Sequence, residues 1–365
     1  MWTRYAAHWR VNPQPWRAFG GSHVGTIDLV LEQGENGWQI AASASVAQPV
    51  IAQKADGQSG PRAARNRTVI AAVRQVHAET LAYMRRPVGR NPVPLHSYFA
   101  LVADVPAIRL VALAQMDHVR RALRGTRHAG LPVLSAAAPF KAGGLAGPGN
   151  YTDVPAGPLA LRNIADLYIY PNELRAIKLT GADLANWLER AASLFLRVAP
   201  GLQDQPLLNP QFPSYHFDMV QGVTYAIDLT QPPRFDATGA LLNPAARRIR
   251  GLSCQGKPVD PAAEFVMATN DYRAHGGGDF PGADGTTVIY QSTQTNRDAV
   301  LSFIRSHGTD IAGSQPAWHF APIAHTSALF ETGPGAALQP PGLALPHIEP
   351  AGPGSDGFIT YRLHF

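Results

Sequence analysis

The sequence predicts an α/β fold in which helices pack on a mixed β-sheet. Between residues 182 and 197, apolar side chains recur with helical spacing, so one face of a helix belongs to the core. Residues 296–307 are predicted to form a second helix, because Gly308 follows them as a stop signal. Short apolar segments of strand length supply the sheet, and they lie at 223–229, 248–253, 265–268 and 286–290.

The N-terminal region carries a small β piece followed by a separate helix. Residues 26–31 alternate between apolar and polar, residues 34–37 are typical of a turn, and residues 38–40 return, which predicts a hairpin. Apolar positions with helical spacing predict a helix over 66–85. The proline-rich stretch 87–94 then interrupts the chain.

The compact part of the chain is expected to begin near Ser97. At the other end, residues 333–357 are rich in proline and glycine, a composition that predicts a loose tail. A short strand at 358–363 is expected to end it. With 365 residues, the chain is long enough for one large or two ordinary domains.

Composition indicates a globular protein and argues against nucleic-acid binding. Apolar residues make up 45% of the chain and charged residues 16%. The net charge of +5 is spread along the sequence, with basic pairs such as Arg120-Arg121 rather than a basic patch. We therefore expect no nucleic-acid polymer as a partner.

Targeting signals are not evident in the sequence. No apolar run approaches the length of a membrane span, so no membrane partner is expected. The first ten residues lack the apolar core of a signal peptide, which predicts a cytoplasmic protein if the chain is expressed as given. The single cysteine, Cys254, excludes an intramolecular disulfide and leaves the compartment open.

The most informative segment runs from Phe265 to Pro281. A short strand leads into Asn270-Asp271-Tyr272, and three glycines and Asp279 follow. Glycines allow the backbone to approach a ligand closely, an aromatic ring offers a stacking face, and a carboxylate accepts hydrogen bonds from hydroxyls. This combination suits a base with its ribose. A glycine turn beside a core tyrosine is the alternative.

The segment resembles the C-terminal substrate-binding domain of the 5'-nucleotidase family. The branch it is most similar to is the bacterial bifunctional 2',3'-cyclic-nucleotide 2'-phosphodiesterase/3'-nucleotidases, and the resemblance runs from about residue 20 to about residue 323. Further blocks match that branch in order, and they are 131–144 (LPVLSAAAPFKAGG), 151–153 (YTD), 162–172 (RNIADLYIYPN), 187–189 (WLE), 215–218 (YHFD), 222–230 (GVTYAIDLT) and 256–260 (GKPVD).

The resemblance implies the α/β fold of that domain, with a mixed sheet, a short β remnant of a metallophosphatase domain and a linker helix. It divides the chain into four parts. These are residues 1–53 as the remnant (1–19 match poorly), 65–96 as the linker helix and connection, 97–330 as the nucleotide-binding domain and 331–365 as the proline- and glycine-rich tail.

Family members hold a base between two aromatic rings, and the resemblance places Phe217 and Tyr272 at those positions. Tyr215 is the alternative for the first ring, because the motif could slip by two residues. Asp279 is the candidate for the ribose hydroxyls, although an extra glycine leaves its register open. Asn270 is expected to support the loop or touch the base edge, and Gly276, Gly277 and Gly278 to form the close-approach backbone.

The block at 131–144 contributes the remaining candidates, Ser135, Phe140 and Lys141. The branch that handles 2',3'-cyclic and 3'-nucleotides carries the Ala-Ala-Ala-Pro-Phe-Lys version seen here. Lys141 could supply positive charge to a phosphate.

The resembling family hydrolyses phosphate esters with two divalent metal ions in its metallophosphatase domain. Its ligand blocks are not present here in a usable form, since Asp117 and His118, for example, are adjacent rather than spaced. We therefore expect no catalytic residue and no metal or other cofactor bound by this chain, and nucleoside or nucleotide binding without turnover. Whether the chain is an enzyme is left open.

The resemblance also implies partners and a compartment. A separate metallophosphatase chain is a candidate partner beside the nucleoside or nucleotide, and the resembling enzymes are periplasmic. The alternative function is a stand-alone nucleoside-binding module or a non-functional truncated product.

Overall fold

The computed structural model describes residues 23–34, 37–53, 59–61, 66–309, 311, 314–339 and 347–365. Their α-helices are α1 (Arg67–Met84), α2 (Pro106–Ala122), α3 (Leu161–Leu167), α4 (Gly181–Ala191), α5 (Asp271–Ala274) and α6 (Asn296–His307). Their strands are β1 (His23–Gly34), β2 (Gly37–Pro49), β3 (Ile51–Gln53), β4 (Ser59–Pro61), β5 (Pro87–Asn91), β6 (Leu95–His96), β7 (Val133–Ala137), β8 (Asp153–Val154), β9 (Gly157–Ala160), β10 (Glu173–Thr180), β11 (Gln205–Pro206), β12 (Met219–Gln221), β13 (Thr224–Ile227), β14 (Ile249–Cys254), β15 (Lys257–Pro258), β16 (Glu264–Asn270), β17 (Val288–Thr295), β18 (Trp318–Phe320), β19 (Ser327–Thr332), β20 (Ile348–Pro353) and β21 (Ile359–His364).

Internal contacts divide the chain into two units, Met1–Thr80 and Leu81–Phe365. In the first unit, β1 and β2 form an antiparallel hairpin, as the sequence predicts, and β3 pairs with β4. The predicted helix over 66–85 is confirmed as α1, which crosses the boundary between the units. It begins at Asn66 because the side-chain oxygen of that residue accepts hydrogen bonds from the first backbone N–H groups. The segment 1–19 lies outside the described residues.

The second unit is built around a five-stranded sheet with the order β12-β7-β16-β10-β17. Its neighbours are antiparallel except for β7 and β16, which run parallel, so the predicted mixed sheet is confirmed. Helix α2 packs against β7 and against α6. Because β7 and β16 are parallel, their carboxyl ends lie at the same edge of the sheet.

The helix predicted over 182–197 is present as α4, and a short 3-10 turn extends it to Leu194, short of the predicted end at residue 197. It begins with a reciprocal cap in which Thr180 and Asp183 each bond the other's backbone N–H. Trp187 on its apolar face is fully buried. Its indole N–H still finds an acceptor, the Asp218 carboxylate at 3.1 Å.

Two four-stranded sheets flank this core, with the orders β15-β14-β13-β18 and β11-β19-β21-β20. The four predicted strands therefore belong to two sheets rather than one, since β13 and β14 pair away from β16 and β17. The expected final strand is present as β21. The predicted loose tail is wrong for residues 348–353, because they form β20, which pairs with β21. Arg362 on β21 also bonds both Asp204 and Glu349.

Within the described part of the chain, no helix is both long enough and apolar enough to cross a bilayer.

Candidate functional site

A cleft of about 290 Å³ opens where the parallel strands β7 and β16 end. Its lining residues lie at the carboxyl ends of β7 and β16, in the loop after β7, on α2 and α5, in the loop before β10 and in the turn before β12. The aromatic lining residues are Phe140, Tyr168, Tyr170, Tyr215 and Tyr272. The lining residues with an amide or hydroxyl group are Gln115, Asn172, Thr269 and Asn270. Asp218 and Arg273 also line the cleft and form an ion pair. The carboxyl ends of parallel strands are a common ligand position in α/β sheets.

Tyr272 lines the cleft with a ring that is 52% exposed. It lies in the short helix α5, which starts directly after β16. Asn270 fixes this start, because its side-chain oxygen accepts the Arg273 backbone N–H at 2.8 Å and its amide nitrogen donates to the Tyr168 hydroxyl at 3.1 Å. The prediction that Asn270 supports the loop agrees with these contacts, and the residue also lines the cleft.

Gly277 forms the seat of the Tyr272 ring. A Cβ at this position would lie 2.5 Å from the ring, far inside contact distance, so a larger residue would displace it. At Gly278, where φ is +83°, a Cβ would collide with the Arg273 guanidinium. Gly277 and Gly278 therefore make room for the Tyr272 ring and the Arg273 guanidinium. None of the three glycines, Gly276 included, lines the cleft, which corrects their predicted approach to a ligand.

Phe217 lies in the core and not at the cleft, which corrects its predicted role. Its ring is 1% exposed and packs edge-on against Phe195 and Trp318, with centroids 5.1 and 5.3 Å away. An enclosed ring has no free face for a base. Tyr215, the alternative drawn from the same motif, lines the cleft and is 42% exposed. Phe217, whose ring is wholly apolar, occupies the core position, and Tyr215, which carries a hydroxyl, occupies the solvent-exposed position.

Three tyrosines, Tyr170, Tyr215 and Tyr272, line the same cleft. Burial raises the pKa of Tyr215, and repulsion from ionised Tyr272 and Tyr170 raises it further, while Arg273 opposes the shift. Tyr215 and Tyr272 lie in one cleft although 57 positions separate them in the sequence.

Asp218 and Arg273 form a buried ion pair at the base of the cleft, and the sequence did not single out either one. The Arg273 Nε lies 2.9 Å from Asp218 Oδ2, and both side chains are about 5% exposed. Burial raises the pKa of Asp218, and Arg273 and Trp187 oppose this shift by holding the carboxylate. A detectable signal was available, because Asp218 ends the YHFD block and Arg273 directly follows Tyr272.

Asp279, the candidate acid for the ribose, lies outside the cleft. It is exposed, has φ of +55°, and its Cβ is 2.6 Å from where a Cβ on Gly239 would stand. The left-handed backbone at this position turns the side chain toward the Gly239 loop. The carboxylate that does line the cleft, Asp218, is already paired.

The candidates from the 131–144 block separate into one cleft residue and two others. Phe140 lines the cleft and packs edge-on against Tyr168 and Tyr170. Ser135 is fully buried and accepts a hydrogen bond from Gln115 at 2.8 Å, so it supports the wall from behind. Lys141 is not among the lining residues, and its ammonium pairs with Asp166 at 2.5 Å.

Among the residues that the structure describes, no group of three or more His, Cys, Asp or Glu side chains lies close enough together to hold a metal ion. The expectation that this chain binds no metal or cofactor stays a prediction.

A cleft with exposed aromatic residues, at the carboxyl ends of parallel strands, is typical of α/β domains with a small-molecule site. Comparison with protein families gives the particular one. The chain belongs to the 5'-nucleotidase C-terminal domain family, whose model matches residues 98–285, more than half of the chain. The resemblance found from the sequence motifs is thereby confirmed.

Curated relatives share this sequence over most of its length. It is 38% identical to the trifunctional nucleotide phosphoesterase protein of Bacillus subtilis, over 88% of this chain and 21% of that protein. It is 36% and 37% identical to the 2',3'-cyclic-nucleotide 2'-phosphodiesterase/3'-nucleotidases of Haemophilus influenzae and Salmonella typhimurium, over 96% and 86% of this chain. The chain spans 55% and 50% of those two proteins, about half of their length.

Solved structures agree on the fold. A Staphylococcus aureus protein described as a 5'-nucleotidase, in complex with alpha-ketoglutarate, matches 82% of this chain with a TM-score of 0.57 at 15% identity, over 51% of its own chain. The 5'-nucleotidase precursor of Thermus thermophilus matches 82% with a TM-score of 0.51 at 16% identity, over 50% of its own chain. These likenesses confirm the predicted α/β fold class.

Proposed function

We propose that the cleft binds the base of a nucleoside or nucleotide between Tyr215 and Tyr272. The observation that carries this proposal is the pair of exposed tyrosines in one cleft, each on a short helical turn. A ring that is half exposed but firmly seated offers a face to a flat ligand at little cost in ordering. Every base has such a flat face, and stacking contributes about 1–3 kcal/mol per base.

The size and the charge of the cleft favour a nucleoside moiety over a larger ligand. Its volume of about 290 Å³ is at the lower end of the range for ligand sites, about 300–1,000 Å³. The cationic side chain in the lining, Arg273, is paired with Asp218 and is not available to a phosphate. We therefore place the base and sugar in the cleft and the phosphate outside it.

The polar groups around the cleft favour recognition of the face of a base over its edge. Gln115 donates to Ser135 and Ala136, and its oxygen accepts from Asn296. Asn270 bonds the Arg273 backbone and Tyr168. Because these groups are committed to one another, we expect broad base specificity.

We infer the wider role from the relatives. Two of them are named 2',3'-cyclic-nucleotide 2'-phosphodiesterase/3'-nucleotidase, and this chain spans about half of their length. The proposed role is the substrate-binding part of such an enzyme, acting with a metallophosphatase part in the same protein or in a separate chain. For this chain alone we propose binding without turnover, because the metal-ligand blocks of that family are missing from its sequence.

Titration calorimetry with adenosine tests the base site. Tyr272→Ala and Tyr215→Ala should each weaken binding by about 1–3 kcal/mol, the typical contribution of a stacking ring. Asp279→Ala, outside the cleft, is the matched control and should leave the affinity unchanged. Unchanged affinity in both folded tyrosine variants would contradict the proposal.

A second measurement tests turnover. The purified chain is incubated with 3'-AMP or 2',3'-cyclic AMP and Mn²⁺, Co²⁺ or Zn²⁺, and released phosphate or ring-opened product is followed. We expect no hydrolysis above the metal-only blank. Robust turnover by a homogeneous preparation would show that the chain is a complete enzyme.

A further inference from the structure

Arg273 is bonded to both of the loops that carry the cleft tyrosines. Its Nη2 donates to the backbone oxygen of Tyr215 at 3.0 Å, and its Nη1 donates to the backbone oxygen of Gly277. The same guanidinium is paired with Asp218 through Nε at 2.9 Å and Nη2 at 3.2 Å. One planar group therefore joins the Tyr215 turn, the glycine loop and the start of β12.

These contacts connect the guanidinium to the two rings through short and rigid paths. On one side, the acceptor is the backbone of Tyr215 itself. On the other side, the acceptor is Gly277, against which the Tyr272 ring packs because glycine has no Cβ. Arg273 is also the residue after Tyr272 on α5, and its carbon Cζ lies 5.7 Å from the centre of that ring.

Arg273 is itself held firmly. Its side chain is 4% exposed, and its Cζ lies 4.1 Å from the Phe280 ring centre, a cation–π contact. Asp218 is anchored in turn by the indole N–H of Trp187. A fork with five donors in one plane fixes the relative position of its acceptors, which a flexible lysine ammonium does not.

We propose that Arg273 is a positioning residue that sets the separation of the Tyr215 and Tyr272 rings. This inference rests on the proposed base site. It assigns to Arg273 the selectivity of that site for flat aromatic ligands. When the guanidinium is removed, each ring stays attached to its loop, but the two loops lose their common reference. Tyr272 then acts as an isolated exposed ring and not as half of a sandwich.

A double-mutant cycle with adenosine tests this role. The variants are Tyr272→Ala, Arg273→Lys and the double variant, each in the full chain, with affinity measured by calorimetry. In the wild-type background, Tyr272→Ala should lower the affinity roughly 5- to 150-fold, as for other stacking rings. In the Arg273→Lys background, the same change should lower it by less than about threefold, because coupled residues are not additive.

Arg248→Lys is the matched control. Arg248 is also fully buried and also donates to backbone oxygens, those of Ala192, Phe195 and Gln231, but it does not line the cleft. In this background, Tyr272→Ala should keep its whole effect. If Arg273→Lys does not fold, the paired change Arg273→Gln with Asp218→Asn replaces it, since it removes both charges of the buried ion pair together.

Hydrogen exchange supplies a readout that needs no ligand. The backbone N–H groups of His216 and Gly277, bonded to Pro213 and Tyr272, report on the two loops. Arg273→Lys should lose protection at both together, and Arg248→Lys at neither. If Arg273→Lys keeps its protection and the Tyr272→Ala and Arg273→Lys effects are additive, the positioning role is overturned and the base site stands. If the wild-type chain does not bind adenosine, both the proposed function and the role of Arg273 in ligand selection are overturned.

Discussion

The two units of the chain place the same residue type in opposite environments. Trp187 in the second unit is fully buried, whereas Trp38 on the hairpin of the first unit is 68% exposed. On the same hairpin, large apolar residues such as Ile27, Leu31 and Ile40 are also exposed. Burying such a side chain contributes about 1.5–3 kcal/mol. The second unit gains this stabilisation many times over, and the hairpin gains little of it in this chain.

This difference identifies where the stability and the cleft belong. The cleft lies wholly in the second unit, and its tyrosines are seated on buried groups of that unit. A two-stranded hairpin is marginal by itself, and exposed apolar strands are typical of surfaces that a partner covers. This exposure is consistent with the interpretation of residues 1–53 as a remnant of a metallophosphatase domain, which stays a prediction.

Truncation of a core ring gives the largest expected effect. Phe217→Ala removes a ring that packs edge-on between Phe195 and Trp318, and it should lower the free energy of unfolding by about 3–5 kcal/mol. Trp38→Ala is the control in the hairpin and should change it by less than about 0.5 kcal/mol. Denaturant unfolding monitored by fluorescence measures both values. Similar losses in the two variants would remove the contrast between the units.

A buried histidine gives a smaller, pH-dependent effect within the second unit. His216 is 9% exposed, and neither ring nitrogen has a hydrogen-bond partner. Burial and the nearby charges of Arg273 and Arg190 lower its pKa from 6.5 to about 3. Between these values the unfolded chain binds a proton that the folded chain does not, so stability falls as the pH drops through this range.

The measurement compares wild type with His216→Gln between pH 7 and pH 4. Carboxylates affect both proteins alike, so the informative quantity is the difference in their free energies of unfolding. Wild type should lose more stability on acidification than the variant. His319→Gln, at an exposed position of β18, is the control and should follow wild type. A His216→Gln curve parallel to that of wild type would contradict the pKa shift.

Local signals explain why parts of this molecule were predictable from the sequence. Helix α6 matches its predicted bounds because its cap residues Thr295 and Asp298 and its stop at Gly308 are all close in sequence. Tyr272 was placed at a ligand site for the same reason, since strand, ring and glycines are contiguous. Its role in base binding stays a prediction.

Features that depend on distant contacts were not predictable. The choice between Tyr215 and Phe217 is made by Phe195 and Trp318, which are far away in sequence. Strand β10 was missed although it is second from the sheet edge, because Arg175 interrupts its apolar pattern. That arginine is buried with its guanidinium paired to Glu173 and donating to the backbone oxygen of Ser292 on β17.

Deletion of the hairpin gives the smallest expected effect and tests the comparison most directly. A chain that begins at Asn66 keeps α1 and the whole second unit and lacks β1 to β4. Because the large apolar side chains of the hairpin, such as Val24 and Trp38, are exposed, their removal should leave the free energy of unfolding within about 0.5 kcal/mol of the full chain. Solubility should stay the same or rise, since exposed strand edges are lost. Adenosine affinity is measured on both chains as the control for an intact cleft, and it should not change. If the shortened chain unfolds or loses adenosine binding, the hairpin is an integral part of the second unit, and the division of the chain into two units is wrong.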